Sequence, residues 1–579
     1  MHKSHIHRQA EHGPAGGQPG TVTPPAGTRE SMSLHQAAAV LWTRLRQHRV
    51  VQWLLGYTAF AYACLHSAEM LSRTFDWPVI AMRLTSDALM IGFPLTAILT
   101  WYFHRQIDAA ATHAGAATAA PANSIAVLPF IDLSELKDQE YFSDGLSEEL
   151  IGLLTRIPGL RVPARTSSFY FKGKQATIGE ISQALHVAHV LEGSVRKAGN
   201  AVRITVQLIQ ADSGYHLWSE NYDRTLDDIF KVQDEIAAAV VHALKVTLLD
   251  AKLPARQTTS NAEAYQLYLR GRYHWNRRSA GDFRKAIGYF EQAIASDAGY
   301  APAYCGLADC YSLLPIYDRR TSVIELAPLA KKAVLRALAV DNVAPEAYAS
   351  LGLIHGFLDY DWPSAAENFR HAIELNGNVP SPHQWYGTLL VNTGEADAGL
   401  AELRRALEVD PLSLAANLAL GIALNCCRRY EEAIAQLHRT LELGKDFADT
   451  NYFLYEAYAN QEHYQQAIDA YALQKGLDGE TPAAIDAIKD AYATGGWPGF
   501  LRQRIAALEA QAQPIPEEVA SFHARLGNVE AALAWLEKSY LRRSPRLALL
   551  KVDPRYDNLR SDPRFSELLG RVGLAEKHK

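Results

Sequence analysis

Five cysteines in 579 residues are too few, and too odd a number, for a disulfide framework. Cys64 lies in an apolar run, Cys305 and Cys310 share one expected helix, and Cys426 and Cys427 are adjacent on another. Neighbours on a helix point apart, so the last pair is poorly placed to bridge, and buried thiols in a reducing compartment are the expectation. The patterns that carry chemistry are missing too. There is no H-E-x-x-H, no Ser-His-Asp elbow and no Gly-rich loop leading to a Walker-type Lys. His186, His189 and His216 lack metal-like spacing to Cys or carboxylates, and His2, His5, His7 and His12 fall in a tail without such partners. No catalytic residue, metal or cofactor is therefore assigned, and the chain reads as non-enzymatic. A basic stripe is also lacking. The net charge is −6, and the first 49 residues carry six basic against two acidic side chains, +4, so the remainder holds −10. That balance excludes nucleic acid as the main partner. No cleavable secretory signal is visible, because the first apolar run begins too late.

What is present divides the chain into several domains, as its length suggests. Residues 1–49 read as a disordered basic tail. Val50 to Ala68 has no Asp, Glu, Lys or Arg, and Leu84 to Phe103 has only Asp87; each approaches the roughly 20 residues that span a hydrocarbon core. Trp53, Tyr57, Trp101 and Tyr102 sit near the ends of these runs, where aromatic rings favour an interface. Two transmembrane helices are expected within residues 50–103. Arg44, Arg46, Arg49 and Arg105 outside the pair, against Arg73 and Arg83 between, place both tails in the cytoplasm at a bacterial inner membrane; a periplasmic C-terminal part is the alternative. LWTRLRQHRVVQWLLGYTAFAYACLH and MIGFPLTAILTWYF are similar to the membrane anchor of a bacterial family of repeat proteins. Residues 104–123 form an Ala-rich linker.

Residues 124–250 alternate in the manner of a small α/β module. The apolar run Ser124–Phe130 and the stretch Leu160–Arg165 read as strands. A helix capped at Ser143 or Asp144 carries Leu146, Leu150, Leu153 and Ile157 on one face, and Ile178–Leu185 forms a second. Gly199-Asn200 signals a hairpin, after which Val202, Ile204, Val206 and Leu208 alternate with Arg203, Thr205 and Gln207. Ile229, Val232, Ile236, Val240 and Leu244 close the module on an amphipathic helix. Asp144, Glu148 and Glu149 read as helix-terminal acids rather than a catalytic pair. The segments YFSDGLSEEL, VLEGSVRK, RITVQLIQADSGYHLWSENYDR and DIFKVQDEIA resemble the TolB amino-terminal-like (FlgO-like) module. Relatives of that module carry winged-helix regulator, nucleotide cyclase or kinase output domains, which have no counterpart in this sequence.

The strongest signal is a beat of 34 residues. Ala365, Phe369 and Ala372 lie on one helix face; Gly399, Leu403 and Ala406 follow 34 positions on, then Ala433, Leu437 and Thr440, then Ala467 and Tyr471. Gly387 and Gly421 stand twelve residues before the small residue in two units, and Asp410-Pro411 closes one. Period, small-large-small face and closing Pro resemble the tetratricopeptide repeat, which implies an all-α superhelix over residues 260–475. Ala286, Phe290 and Ala293 mark the first unit; the second, with Ala330, Val334 and Ala337, is stretched by an expected loop at Ile316–Val323. Residues 476–579 read as irregular repeats, broken at Gly495-Gly496-Trp497-Pro498, and a C-terminal cap.

In that fold the first helix of each unit lines the concave face, which there holds Gln384, Thr388, Asn392, Asn425, Asp449, Tyr452, Glu456 and Asn460. Amides can bond a peptide backbone, and Tyr452 offers an apolar face with a polar tip. None of the eight is basic, which disfavours capture of a carboxylate. The sequence thus predicts a membrane-anchored scaffold whose superhelix binds protein or peptide partners, with the α/β module as a second surface. The rival reading is a sensor whose α/β module binds a small ligand.

Overall fold

The computed structural model describes residues 120–244, 259–445 and 447–575, together with His66. The basic tail, both expected spans (His66 apart), nearly all of the Ala-rich linker and residues 245–258 lie outside the described residues. No helix among the described residues is long and apolar enough to cross a membrane. Even the longest, Pro482–Glu509, carries Asp486, Lys489, Asp490, Arg502 and Arg504. On that finding the expectations of two transmembrane helices, of integral membrane attachment and of inner-membrane placement are withdrawn. The fold is a helical superhelix joined to a small α/β module.

The module's sheet is built on β3 (His189–Ala198), which pairs parallel with β1 (Ile125–Val127) and β2 (Ile131–Asp132) along one edge. Along its other edge β3 pairs antiparallel with β4 (Ala201–Gln210), and β4 with β5 (His216–Thr225). The Gly199-Asn200 hairpin forms as expected, with Ala198 opposite Ala201. The alternation of β4 is real: Val202, Ile204, Val206 and Leu208 are buried while Arg203 is exposed. The helix Ile178–Leu185 (α3) forms with the expected bounds, because Thr177 and Glu180 make a capping box. Two expectations change. Leu160–Arg165 contributes only a bridge from Arg161 to Ser124, and Arg165–Phe169 becomes a short helix, α2. The main helix α1 begins at Glu140 and runs to Leu154, so Ser143 and Asp144 are not its cap and Glu148 sits in its third turn. The helix Ile229–Ala243 (α4) closes the module, with Val232, Ile236 and Val240 fully buried.

The superhelix follows as pairs of antiparallel helices: α5 (Ala262–Asn276) with α6 (Ala280–Ser296), α7 (Ala301–Tyr317) with α8 (Val323–Val340), and α9 (Pro345–Leu353) with α10 (Trp362–Leu375). Then come α11 (Pro380–Thr393) with α12 (Ala396–Val409), α13 (Leu414–Cys426) with α14 (Tyr430–Leu443), and α15 (Ala448–Asn460) with α16 (Tyr464–Leu477). The second unit is stretched chiefly by its helices, of 17 and 18 residues, and the loop between them is confined to Asp318–Ser322. The helix Pro482–Glu509 (α17) is kinked at Gly496, where φ is +59°, as the Gly-Gly-Trp-Pro break foretold. Two further helices, α18 (Pro516–Leu526) and α19 (Val529–Leu541), complete the pairs. Short 3₁₀ turns at Pro545–Leu549 and Pro554–Leu559 and a last helix α20 (Pro563–Arg571) end the chain.

The small-large-small triplets are the packing seam. Phe290, Phe369, Leu403, Leu437 and Tyr471 are fully buried. Opposite Phe290, Phe369, Leu403 and Leu437 the first helix brings a glycine (Gly271, Gly352, Gly387 and Gly421), whereas Tyr471 meets the Tyr455 ring. A Cβ on Gly387 would lie 2.7 Å from the carbonyl oxygen of Gly399 and 2.9 Å from the Leu403 nitrogen, and one on Gly421 would lie 2.7 Å from a Leu437 methyl. At Gly387 the obstacle is backbone, which cannot rotate away. Gly387→Ala is therefore expected to destabilise by about 1–3 kcal/mol through overpacking, exceeding the roughly 1 kcal/mol that Ala gains over Gly in helix propensity. A thermal melt of the variant at or above wild type would refute this reading of the seam.

Candidate functional site

The concave face is formed by the first helix of each pair, and it is shared by two other parts of the chain. On one side stands the α/β module. Its α1 packs against α5 closely enough that a Cβ on Gly145 would lie 2.6 Å from Leu269. Glu148 of α1 accepts from Arg272 Nε of α5 at 2.9 Å, from Asn276 Nδ2 at 3.0 Å, and lies 2.9 Å from Arg165 Nε of α2. Burial pushes the Glu148 carboxyl up, but the Arg272 and Arg165 charges more than offset this and hold it below its ordinary value. Farther along, Asp410 reaches across from the α12–α13 turn: its Oδ1 accepts from the Ser167 backbone N–H at 3.0 Å and from its hydroxyl at 2.5 Å. The Asp-Pro turn that closes a repeat thus also caps α2 of the module.

On the other side runs the C-terminal segment. Arg555 pairs with Asp553 at 2.5 Å, donates to the Tyr452 hydroxyl at 2.8 Å and lies 3.6 Å from Glu456. Glu456 is paired as well with Arg525 at 2.6 Å, which also donates to Asn460 at 2.8 Å, and Asn460 donates to Asn425 at 3.1 Å. Trp362 Nε1 donates to the Val572 carbonyl and Tyr360 to that of Ser544, both at 2.8 Å. The segment therefore crosses the concave face from the third unit to the sixth.

The eight sequence-predicted residues fall into two groups. Asn425, Tyr452, Glu456 and Asn460 are bonded to the chain's own terminal part or to one another. Gln384, Thr388, Asn392 and Asp449 line a cavity of about 1040 Å³ between the first helices, the module and the terminal segment. Asn392 is 1 % exposed and neither its Oδ1 nor its Nδ2 has a hydrogen-bond partner. Both atoms are sealed from the cavity as well as from solvent, and an amide buried with its bonding capacity unused costs on the order of 1–3 kcal/mol.

The sequence count missed the charge of this cavity. Its lining holds nine arginines against six carboxylates and no lysine or histidine. Arg278 follows α5, Arg319 and Arg320 sit on the α7–α8 loop, and Arg546 lies on the first 3₁₀ turn of the terminal segment. None belongs to a first helix of the regular units, so counting back from the small residues could not find them. The traces visible in sequence are the doublets Arg277-Arg278 and Arg319-Arg320 at the ends of first helices. Arg319 has a partner in Glu518 at 3.5 Å. Arg278 stacks over the Trp275 ring at 3.7 Å, and Arg546 over Phe453 at 5.6 Å. Burial pushes the pKa of both guanidiniums down from its ordinary value, although the Arg278 side chain remains exposed to the cavity. The surrounding protein depletes their hydration without supplying a counter-charge in contact.

Residues 121–239 match the family described as the second domain of HilA/YgeH-like transcriptional regulators, close to the expected bounds of the module. A stretch of 190 residues is 42 % identical to "Putative adenylate cyclase 3" of Rhizobium meliloti (strain 1021), covering 32 % of each chain. The chain thus spans about a third of the length of that curated relative. Among solved structures the chain is similar to YrrB, a tetratricopeptide-repeat protein with an unusual peptide-binding site, at 22 % identity over 34 % of this chain and 97 % of that one, with a TM-score of 0.25. It is similar also to TTC0263, a tetratricopeptide-repeat protein of Thermus thermophilus, at 18 % identity, 35 % and 98 % coverage and a TM-score of 0.29. PilW, a type IV pilus biogenesis factor, gives 16 % identity, 38 % and 96 % coverage and a TM-score of 0.31. These are likenesses of repeat architecture and carry nothing about a ligand.

Proposed function

We propose that this chain is a non-enzymatic recruitment scaffold: the tetratricopeptide superhelix holds a segment of a protein partner in its cavity, and the α/β module, whose motifs resemble the TolB amino-terminal-like module, serves as a second interaction surface. The observation that carries the reading is the row Gln384 and Thr388, one turn apart along α11, both part-exposed and lining the cavity. Such a row presents donors and acceptors at intervals suited to an extended peptide backbone. A cavity of about 1040 Å³ lies just above the roughly 300–1,000 Å³ typical of small-molecule pockets, and gives room to a chain of several residues. The adenylate cyclase name belongs to a relative matched over a third of its length, and cyclase activity is not part of this proposal.

The test is binding of a degenerate ten-residue peptide pool to the full-length protein. Gln384→Leu is expected to weaken retention of the selected peptides by about tenfold, the worth of one or two hydrogen bonds, while its melting temperature stays level. Equal retention by wild type and variant would remove the cavity from the function.

A further inference from the structure

The proposed scaffold role leaves the chemistry of the bound segment open, and the charges of the cavity address it. Of the six carboxylates in the lining, Glu148 is committed to Arg165 and Arg272. Glu517 accepts from the Ser539 hydroxyl, Asp449 and Glu517 act on Arg546 only through space, and Glu346, Asp309 and Asp410 complete the set. Asp309 and Asp410 are each bonded to a serine hydroxyl at 2.5 Å, and burial raises the pKa of both, toward the neutral form. On the basic side, Arg165 and Arg272 are used by Glu148, Arg277 lies 3.7 Å from Asp282, and Arg319 pairs with Glu518. Arg278, Arg320 and Arg546 are different. Among the described residues their guanidiniums, like that of Arg156 on the module side of the lining, make no hydrogen bond and no ion pair. This happens in a chain whose net charge is −6, so the positive excess is a property of the cavity rather than of the whole surface.

Geometry adds to charge. A guanidinium stacked on an aromatic ring has its plane fixed while its N–H edges stay free, which is the arrangement that takes a planar or tetrahedral oxyanion through paired bonds. Arg278 on Trp275 has it closely, and Arg546 on Phe453 more loosely. The same stacking argues against a nucleobase as the occupant. Trp275 also carries Arg272 at 4.2 Å, so its ring is covered by two guanidiniums and offers no free platform to a base.

We infer that the segment held in the cavity is an acidic peptide, its oxyanions bound by Arg278, Arg320 and Arg546 while Gln384 and Thr388 bond its backbone. The inference rests on the peptide-binding reading and specifies its ligand. The oxyanion is a carboxylate (side chain or terminus) or a phosphate carried by the same kind of peptide. The two forms share the chemistry of recognition and differ in charge.

The experiment uses the full-length protein and three fluorescent pools of degenerate ten-residue peptides. One pool has fixed Asp and Glu positions and a free C-terminus, one has phosphoserine at those positions, and one has Asn and Gln with an amidated terminus. The acidic or phosphorylated pool is expected to bind at least about tenfold more tightly than the neutral one, with affinity falling as salt rises. Arg278→Gln, Arg320→Gln and Arg546→Gln are each expected to weaken the anionic pools about five- to tenfold and to leave the neutral pool unchanged. These guanidiniums make no internal ion pair or hydrogen bond and glutamine keeps a planar end group near the ring, so the variants are expected to melt close to wild type, and the melt is recorded as the control for folding. The ratio between the two anionic pools identifies the oxyanion. Equal binding of all three pools, indifferent to the Gln variants, overturns the inference and leaves the peptide-binding reading standing. Binding of ATP or inorganic phosphate with no binding of any peptide pool overturns both.

Discussion

Glu148→Gln is expected to destabilise the protein by about 3 kcal/mol, a value at the lower end for breaking a buried ion pair because the site borders a cavity. The carboxylate side chain is 16 % exposed, and the Arg165 and Arg272 side chains facing it are 19 % and 21 % exposed. Glutamine keeps the shape and can still accept from Asn276, but leaves two guanidiniums facing each other without their shared anion. The effect should be largest where the module meets the first repeat, so hydrogen exchange in Glu140–Leu154 and Ala262–Asn276 should accelerate together. A pH dependence accompanies it. Because the folded-state pKa of Glu148 lies below its ordinary value, its stabilisation is fully present above about pH 4.3 and is lost as pH falls through the folded pKa. The difference in melting temperature between wild type and Glu148→Gln should therefore shrink on going from pH 7 to pH 3. A difference that is constant across that range would show that the carboxylate charge is not what joins the two parts.

Arg555→Met should cost about 3–5 kcal/mol and release the terminal segment. Methionine approximates the volume of the stem but leaves Asp553 buried without its cation and the Tyr452 hydroxyl without its donor. Glu456 keeps Arg525, so the loss is concentrated on the terminal side of the contact. Burial is the largest influence on the Asp553 carboxyl and pushes it up, yet Arg555 holds it below its ordinary range. Removing that cation should favour a protonated Asp553 or a segment that swings out. Limited proteolysis in the stretch Pro545–Leu559 reads the outcome. Cleavage as slow as in wild type, in a variant that melts normally, would mean that the apolar anchors Leu547, Tyr556 and Leu559 hold the segment alone. If the segment is released, the Tyr452 hydroxyl loses its internal partner, while Glu456 and Asn460 stay bonded to Arg525 of α18.

The repeat was legible because its signal is local and periodic. A small-large-small triplet fixes how close two consecutive helices come, and Gly387 and Gly421 meet the large residue of their own unit. No distant contact is needed to read that pattern. The hairpin at Gly199-Asn200 and the helix Ile178–Leu185 were legible for the same reason. The apparent strand at Leu160–Arg165 was misleading: its apolar residues are buried as expected, but the backbone bonds that would make it a strand are replaced by contacts with the superhelix. Ala164 N–H donates to the Val409 carbonyl at 3.1 Å, a partner no local pattern could indicate. The long apolar runs before residue 104 pointed to a membrane, an expectation withdrawn because no described helix is long and apolar enough to cross one.

The sequence by itself determined the units of this protein: the helix pairs with their glycine-lined seams and the hairpin of the module. Each depends on residues within about one repeat of each other, where chain connectivity already supplies proximity. Only the tertiary structure decided what the concave face is. Arg278, Arg320 and Arg546 converge on one cavity from a helix end, an inter-helix loop and a terminal turn, and Arg555 reaches Tyr452 across 103 positions of sequence. Their charges act through space over distances set by the superhelical curvature, and that curvature accumulates only when all the units are stacked.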